Sequence, residues 1–397
     1  MGDCAGSLTA RYGWVQSFYW MGFAALMGFA SLFLLDAGFR NTEIGLIIAL
    51  SGGISALLQP AAASLAEGPG RVGLKSLICG VCLLIAAAAL GLTALCLTRG
   101  PALGTALLYG GCLLLLQINF PLINALGTEA INQGRRLNWG AARGLGSVAY
   151  AAASAGLGLL TKRAGAVAVP LLVLASFLLT AACVPSFPLR PRQAGGGEEG
   201  TGNASPLAFF RKYPRFGLLL AGTTLLYMGH MGQNSFTFQI MQSKGGGSAE
   251  MGLATALAAF WELPVMFCFG LMLRRVRCEV WMRLSALFFT VKAALVWLAP
   301  SVSAFYAAQT AQLLGWGLIS VASVHYINGV MEEGDAIKGQ AYFTMTFTLG
   351  SVLGALVGGR MLDAAGVDAL LGCICILSAA GTLLAAAGVQ SPRDGRA

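Results

Sequence analysis

From Ser76 to Leu97 the chain runs without a charged residue, and Phe216 to Tyr227 is a second such run. About 20 apolar residues in a helix span the hydrocarbon core of a bilayer, so the first run is long enough to cross. Most of the remaining sequence has the same character. Of 397 residues, 57% are apolar and 10% are charged, whereas soluble domains carry about 25% charged residues. So few charges cannot cover a water-facing surface. Soluble enzymes, nucleic-acid readers and secreted scaffolds are excluded, and the chain reads as a polytopic all-α membrane protein seated in the lipid bilayer.

Twelve hydrophobic segments can be marked, centred near Phe23, Ser55, Leu84, Leu113, Ala151, Ala175, Leu225, Pro264, Ala293, Ile319, Ser351 and Ile376. The longest polar stretch, Pro188 to Arg215, separates the sixth from the seventh. Its Gly195, Gly196, Gly197, Glu198, Glu199 and Gly200 have the composition of a flexible linker. The expected domains are a six-helix bundle over 1–187, a cytoplasmic linker over 188–215 and a second six-helix bundle over 216–397. Of 25 Lys and Arg, 17 fall on the side that holds both termini, six on the other, and Arg143 and Lys292 lie within spans. The positive-inside rule then places both termini in the cytoplasm, and the net charge of +9 follows from those inner loops. Met1 to Tyr12 lacks the basic region and cleavage site of a signal peptide, so the first segment is expected to be retained.

A weak internal repeat accompanies the halves. Thr42-Glu43-Ile44-Gly45-Leu46 opens the second span and Ala249-Glu250-Met251-Gly252-Leu253 opens the eighth, each followed by a proline, Pro60 or Pro264. Equivalent spans of two repeated halves show such repetition. Gly350, Gly354 and Gly358 at four-residue spacing read as a helix-packing stripe. The cysteines, mostly within apolar runs, read as small hydrophobes rather than bridges.

Ionisable groups inside spans are costly and face a cavity or a partner. Arg143 (fifth span), His230 (seventh), Glu262 (eighth) and Lys292 (ninth) are the candidates. A buried Glu can load and release a proton, which makes Glu262 the proton-coupling candidate, with Lys292 and His230 beside it. Glu262 and Lys292 read equally as an ion pair bracing two helices. Trp261, next to Glu262, is suited to stacking on a ring. Glu129, Asp36 and His325 lie near span ends. The span amides, Asn234 and Gln312 among them, suit either a hydroxylated solute or bonds between helices. Trp20 and its aromatic neighbours in the first span suit ring stacking or packing. No nucleotide-binding G-x-x-x-x-G-K-[ST], metal-ligand cluster or catalytic triad occurs. No cofactor and no enzymatic activity are expected.

Asn41 to Ala49, running on to Gln59-Pro60 and Glu67, resembles the major facilitator superfamily, in particular the oligosaccharide:proton symporter branch that contains lactose permease, in its bacterial members. The usual loop signature G-x-L-x-D-R-x-G-R-K is degenerate, with Ala63 and Glu67 replacing its Gly and Asp while Arg71 and Lys75 keep the basic end. Arg143 to Ala151 is similar to the family's fifth span. The resemblance implies that Arg143 binds solute hydroxyls, that Tyr150 stacks on the ring and that Glu129 partners the Arg. It implies a joint role in solute binding and protonation for Glu262-Leu263, and it sets Lys292 where the family has Arg. The chain departs from the pattern in the tenth span, where Gln309, Gln312 and Gly315 stand in place of a Lys, a His and a Glu. It departs again in the seventh span, which lacks the family's acidic residues. The implied protein is a monomeric secondary transporter of the bacterial cytoplasmic membrane. It would move a sugar, oligosaccharide or nucleoside inward with a proton, driven by the proton gradient. An efflux antiporter or uncoupled facilitator on the same fold, and a receptor that binds solute without moving it, remain alternatives.

Overall fold

The computed structural model describes residues 5–67, 73–98, 100–189 and 206–391. The linker glycines with Glu198 and Glu199, and Arg71, lie outside these residues, as do the side chains of Ala63 and Glu67. All described secondary structure is helical, the arrangement that lets each main-chain polar group in lipid bond within its own segment. Nine described helices are long and apolar enough to cross a membrane, and a tenth span comes from the bent first pair. The helix Glu333–Gly388 holds two rods, one more than a single span, because Gly366 adopts φ +79° and breaks it. Pro214–Ser235 is a further span, less apolar because Thr223, Thr224, His230, Gln233 and Asn234 interrupt it. Counting each of these gives the twelve transmembrane helices of the expected fold class.

The spans in order are Ala5–Phe23 continuing to Ala30–Asp36, then Asn41–Glu67, Leu74–Thr98, Ala102–Asn132, Trp139–Ala164 and Ala168–Cys183. After the short helix Pro206–Lys212 come Pro214–Ser235 with Thr237–Ser243, Ser248–Leu273, Cys278–Leu298, and Val302–Ala308 continuing to Leu318–Val330. The last two lie on either side of Gly366. The first span bends by 51° after a π-helical turn at Ala24–Gly28, a common cause of kinks. Leucines such as Leu57 (81% exposed) and Leu97 (72%) stand on outer faces, where a water-soluble chain would place charge.

The chain divides into two compact units, Met1–Gly196 with Gly246–Ala259, and Gly197–Gly245 with Phe260–Ala397. The eighth span is therefore shared, with the division just before Trp261 and Glu262. Both copies of the internal repeat form the same helix start. Glu43 accepts from the Arg40 N–H at 2.8 Å and Glu250 from the Gly247 N–H at 2.9 Å. Each carboxylate reaches back three residues to satisfy an orphan donor at the helix entrance.

In the first unit, Lys75 donates to the carbonyls of Pro185 and Phe187, tying the third span to the end of the sixth. In the second, the glycine stripe packs as its spacing implies. Gly350 meets Tyr227 and Met228, Gly354 meets Met228 and Gly232, and Gly358 meets Phe236. Small residues admit this close approach of the seventh and eleventh spans. In the same unit Lys212 bonds Asp335 at 2.6 Å and Glu332 at 2.8 Å, and Tyr213 donates to Asp335 at 3.1 Å. The two carboxylates, Asp335 foremost, hold the Lys212 ammonium above the ordinary lysine range.

A Cβ at Gly354 would collide with the Met228 carbonyl and the Gly232 nitrogen, whereas one at Gly80 would meet nothing within 4 Å. Gly354→Ala should destabilise the detergent-solubilised protein by about 1–3 kcal/mol, the usual cost of overpacking. It should visibly lower the thermal midpoint, while Gly80→Ala leaves the midpoint unchanged or slightly raised.

Candidate functional site

The in-span charges fall into two constellations, one in each unit. In the second unit Lys292 is 4% exposed. A buried ammonium needs acceptors, and Lys292 finds one in the side-chain oxygen of Gln312. The nitrogen of the same amide donates to Glu262 Oε1 at 2.9 Å. Gln312 thus faces its oxygen toward the cation and its N–H toward the carboxylate, an orientation that favours both charges. Lys292 and Glu262 are brought together through this amide rather than by direct contact.

The tenth span is irregular where it supplies that amide. A 3-10 turn at Gln309–Gln312 passes into a π-helical turn at Leu313–Gly317, a distortion frequent at functional sites. Gly317 lets the eighth span approach, since a Cβ there would stand 3.2 Å from the Glu262 Cα. Ser285 of the ninth span donates to the Gly315 carbonyl at 2.8 Å. The same turn sets Trp316 flat against His230, with ring centroids 5.1 Å apart and planes 14° apart. Phe289 meets the imidazole edge-on at 5.4 Å, and Asn234 Nδ2 lies 3.1 Å from His230 Nε2. With the amide nitrogen as donor, that ring nitrogen accepts. Trp261 is half-buried and packs edge-on against Phe260.

In the first unit the Arg143 guanidinium lies over the Trp20 ring, 3.9 Å from its centroid, and donates to Ser147 Oγ at 2.9 Å. Tyr150 stands two turns on, edge-on to Trp20 at 6.3 Å and tilted to Phe23 at 6.5 Å. Glu129 accepts from Gln133 Nε2 at 3.0 Å, one turn along its own helix. Its geometry ties it to Gln133, while Arg143 is held by Trp20 and Ser147. Asp36 and His325 are exposed, at a span end and beside Phe269 respectively. Of the other span amides, Gln59, Gln117 and Gln309 donate to backbone carbonyls, as bonds within and between helices. Among the described residues no group of His, Cys, Asp and Glu is arranged to hold a metal ion.

Sequence reasoning passed over Trp316, Phe289 and Ser147. Ser147 was legible, four residues after Arg143 on one helix face. Trp316 carried a signal in its flanking glycines, Gly315 and Gly317, but its stacking on His230 depends on the π-helical turn. Truncating the relay gives a direct measure of its energy. Gln312→Leu should destabilise the solubilised protein by about 1–3 kcal/mol by stranding buried polar partners. The same change in a Lys292→Met background should have a distinctly smaller effect, read as a double-mutant cycle of unfolding midpoints.

Comparison with known proteins adds the following. A family model described as the MFS_1 like family matches residues 11–370. A putative sugar efflux transporter of Deinococcus radiodurans is 29% identical over 147 residues, which is 37% of this chain and 38% of that protein. The match therefore spans well under half of that relative's length. The fold is similar to the crystal structure of the nucleoside transporter NupG, with a TM-score of 0.75 and 16% identity over 96% of this chain and 98% of that one. It is also similar to a bacterial homologue of the iron transporter ferroportin in the inward-facing state. There the TM-score is 0.71, with 14% identity over 96% and 98% of the two chains. At such identities these structures bear on the fold alone.

Proposed function

This chain belongs to the MFS_1 like family, transporters of the major facilitator superfamily rather than enzymes, and on that premise we propose proton-coupled symport of a small hydroxylated solute. The cargo is a sugar, oligosaccharide or nucleoside, and the two bundles expose its site alternately to each side of the membrane. The observation that carries the reading is the buried relay from Lys292 through Gln312 to Glu262. With Glu262 ionised the relay is neutral. A proton on Glu262 leaves the buried Lys292 without its counter-charge, so the loaded state needs compensating contacts that the solute can supply. Proton and solute then favour each other's binding, which is the thermodynamic condition for coupling.

Arg143 supports the same reading from the first unit. Its guanidinium presents planar N–H edges suited to paired hydroxyl acceptors, and Tyr150 offers a face for a ring. Trp261 and Asn234 extend the solute contacts in the second unit, and His230 is the alternative proton carrier. The gradient supplies the energy and no cofactor is needed. The excess of Lys and Arg in the inner loops supports a bacterial cytoplasmic membrane location with both termini inside, and the protein acts as a monomer.

A second reading is export. It is favoured by the name of the Deinococcus relative, a putative sugar efflux transporter. In that case the same relay exchanges solute against protons moving the other way.

Reconstitution in liposomes loaded with a pH-sensitive dye tests both, using a panel of sugars and nucleosides. Symport gives solute-dependent acidification in the direction of solute entry, and Glu262→Gln abolishes it. Antiport gives proton movement of opposite sign. Solute uptake with no proton movement, in wild type and mutant alike, would identify a facilitator and remove Glu262 from the coupling role.

A further inference from the structure

Tyr12, Gln16 and Trp20 lie four residues apart on the first span, so they stack along one helix face. Trp20 Nε1 donates to Gln16 Oε1 at 2.9 Å. Gln16 Nε2 donates to the Tyr12 hydroxyl at 2.8 Å, which donates to the Ile123 carbonyl of the fourth span at 3.1 Å. The sense of this column is fixed at its top. An indole N–H only donates, so Gln16 turns its oxygen to Trp20 and its nitrogen to Tyr12. Tyr12 and Gln16 are fully buried, so the bond between them is shielded from water, while Trp20 is part-buried.

Two glycines on neighbouring spans make room for it. A Cβ at Gly127 of the fourth span would meet the Tyr12 ring at 2.5 Å, and one at Gly146 of the fifth would meet Trp20 Cδ1 at 2.7 Å. The column thus holds the indole at one height and one tilt, and its face is the surface over which the Arg143 guanidinium lies. We propose that Trp20, locked by Gln16 and Tyr12, is a positioning residue that fixes the plane of Arg143.

The physical consequence is geometric. A guanidinium stacked on an aromatic face keeps its N–H edges in one plane, away from the stack. Ser147 takes one of those donors, which fixes rotation within the plane. The arginine is thereby preorganised for a solute that offers two coplanar acceptors, such as adjacent hydroxyls of a pyranose or ribose ring. Trp20 acts here through Arg143, with its ring face used by the cation. The consequence for transport rests on the reading that Arg143 binds solute, and the position of Arg143 itself does not.

The first arm of the test needs no solute. Purified protein is treated with phenylglyoxal, an arginine-specific reagent, and modification of Arg143 is followed by mass spectrometry with exposed Arg40 as internal reference. Trp20→Leu should raise the Arg143 rate severalfold with Arg40 unchanged. Gln16→Leu and Trp20→Phe, which each remove the indole-to-amide bond but keep a ring at position 20, should give matching smaller increases. In the second arm, uptake of uridine and lactose is measured in liposomes. Trp20→Leu should raise KM about tenfold with a lesser change in maximal rate, as loss of a cation–π contact predicts. An unchanged Arg143 rate in Trp20→Leu overturns the proposal. A raised rate combined with wild-type KM values in Arg143→Lys keeps the positioning role and removes the solute-binding reading.

Discussion

The second unit depends on keeping a charge where water is scarce. Lys292 brings an ammonium into the middle of a span, and an unpaired buried charge is among the most destabilising features a fold can hold. The structure answers with an amide. Gln312 satisfies the cation on one side and Glu262 on the other, so three helices share one polar arrangement. The irregular turns of the tenth span carry Gln312 and Trp316 into these contacts.

Glutamine has a parallel use in the first unit. Gln16 converts the donor-only indole of Trp20 into an ordered bond to a tyrosine and then to a backbone carbonyl. In both places a neutral side chain with a donor at one end and an acceptor at the other transmits orientation without adding a charge. In a low-dielectric setting that is cheaper than a further ion pair, because no additional desolvation penalty is incurred. The polar interior is consequently built from few charges and several amides.

Close packing makes these arrangements rigid. Hydrophobic attraction does not drive helices together in lipid, so contact distance matters. Glycines at 127, 146, 350 and 354 lie where a methyl group would strike a neighbouring ring or backbone. The aromatic cluster of Tyr227, Phe289, Trp316 and Phe347 around His230 then fills the remaining space.

The sequence alone determined the solvent, because uncharged runs such as Ser76 to Leu97 have no place in water. It also determined the span order, since each apolar run needs a bilayer thickness. Glu43 and Glu250 marked equivalent helix starts, and both form the same backward bond. Arg143, Glu262 and Lys292 were legible as individuals, since a charge in a hydrophobic run stands out in one dimension. Their partners were decided only by the tertiary structure. Glu129 takes a bond from Gln133, Arg143 lies against Trp20 and Ser147, and the Lys292–Glu262 pair acquires Gln312 between its members. Partner choice depends on helix rotation, on π-helical turns and on glycines that set helix separation. Those quantities are fixed by contacts between distant segments, and no local pattern encodes them.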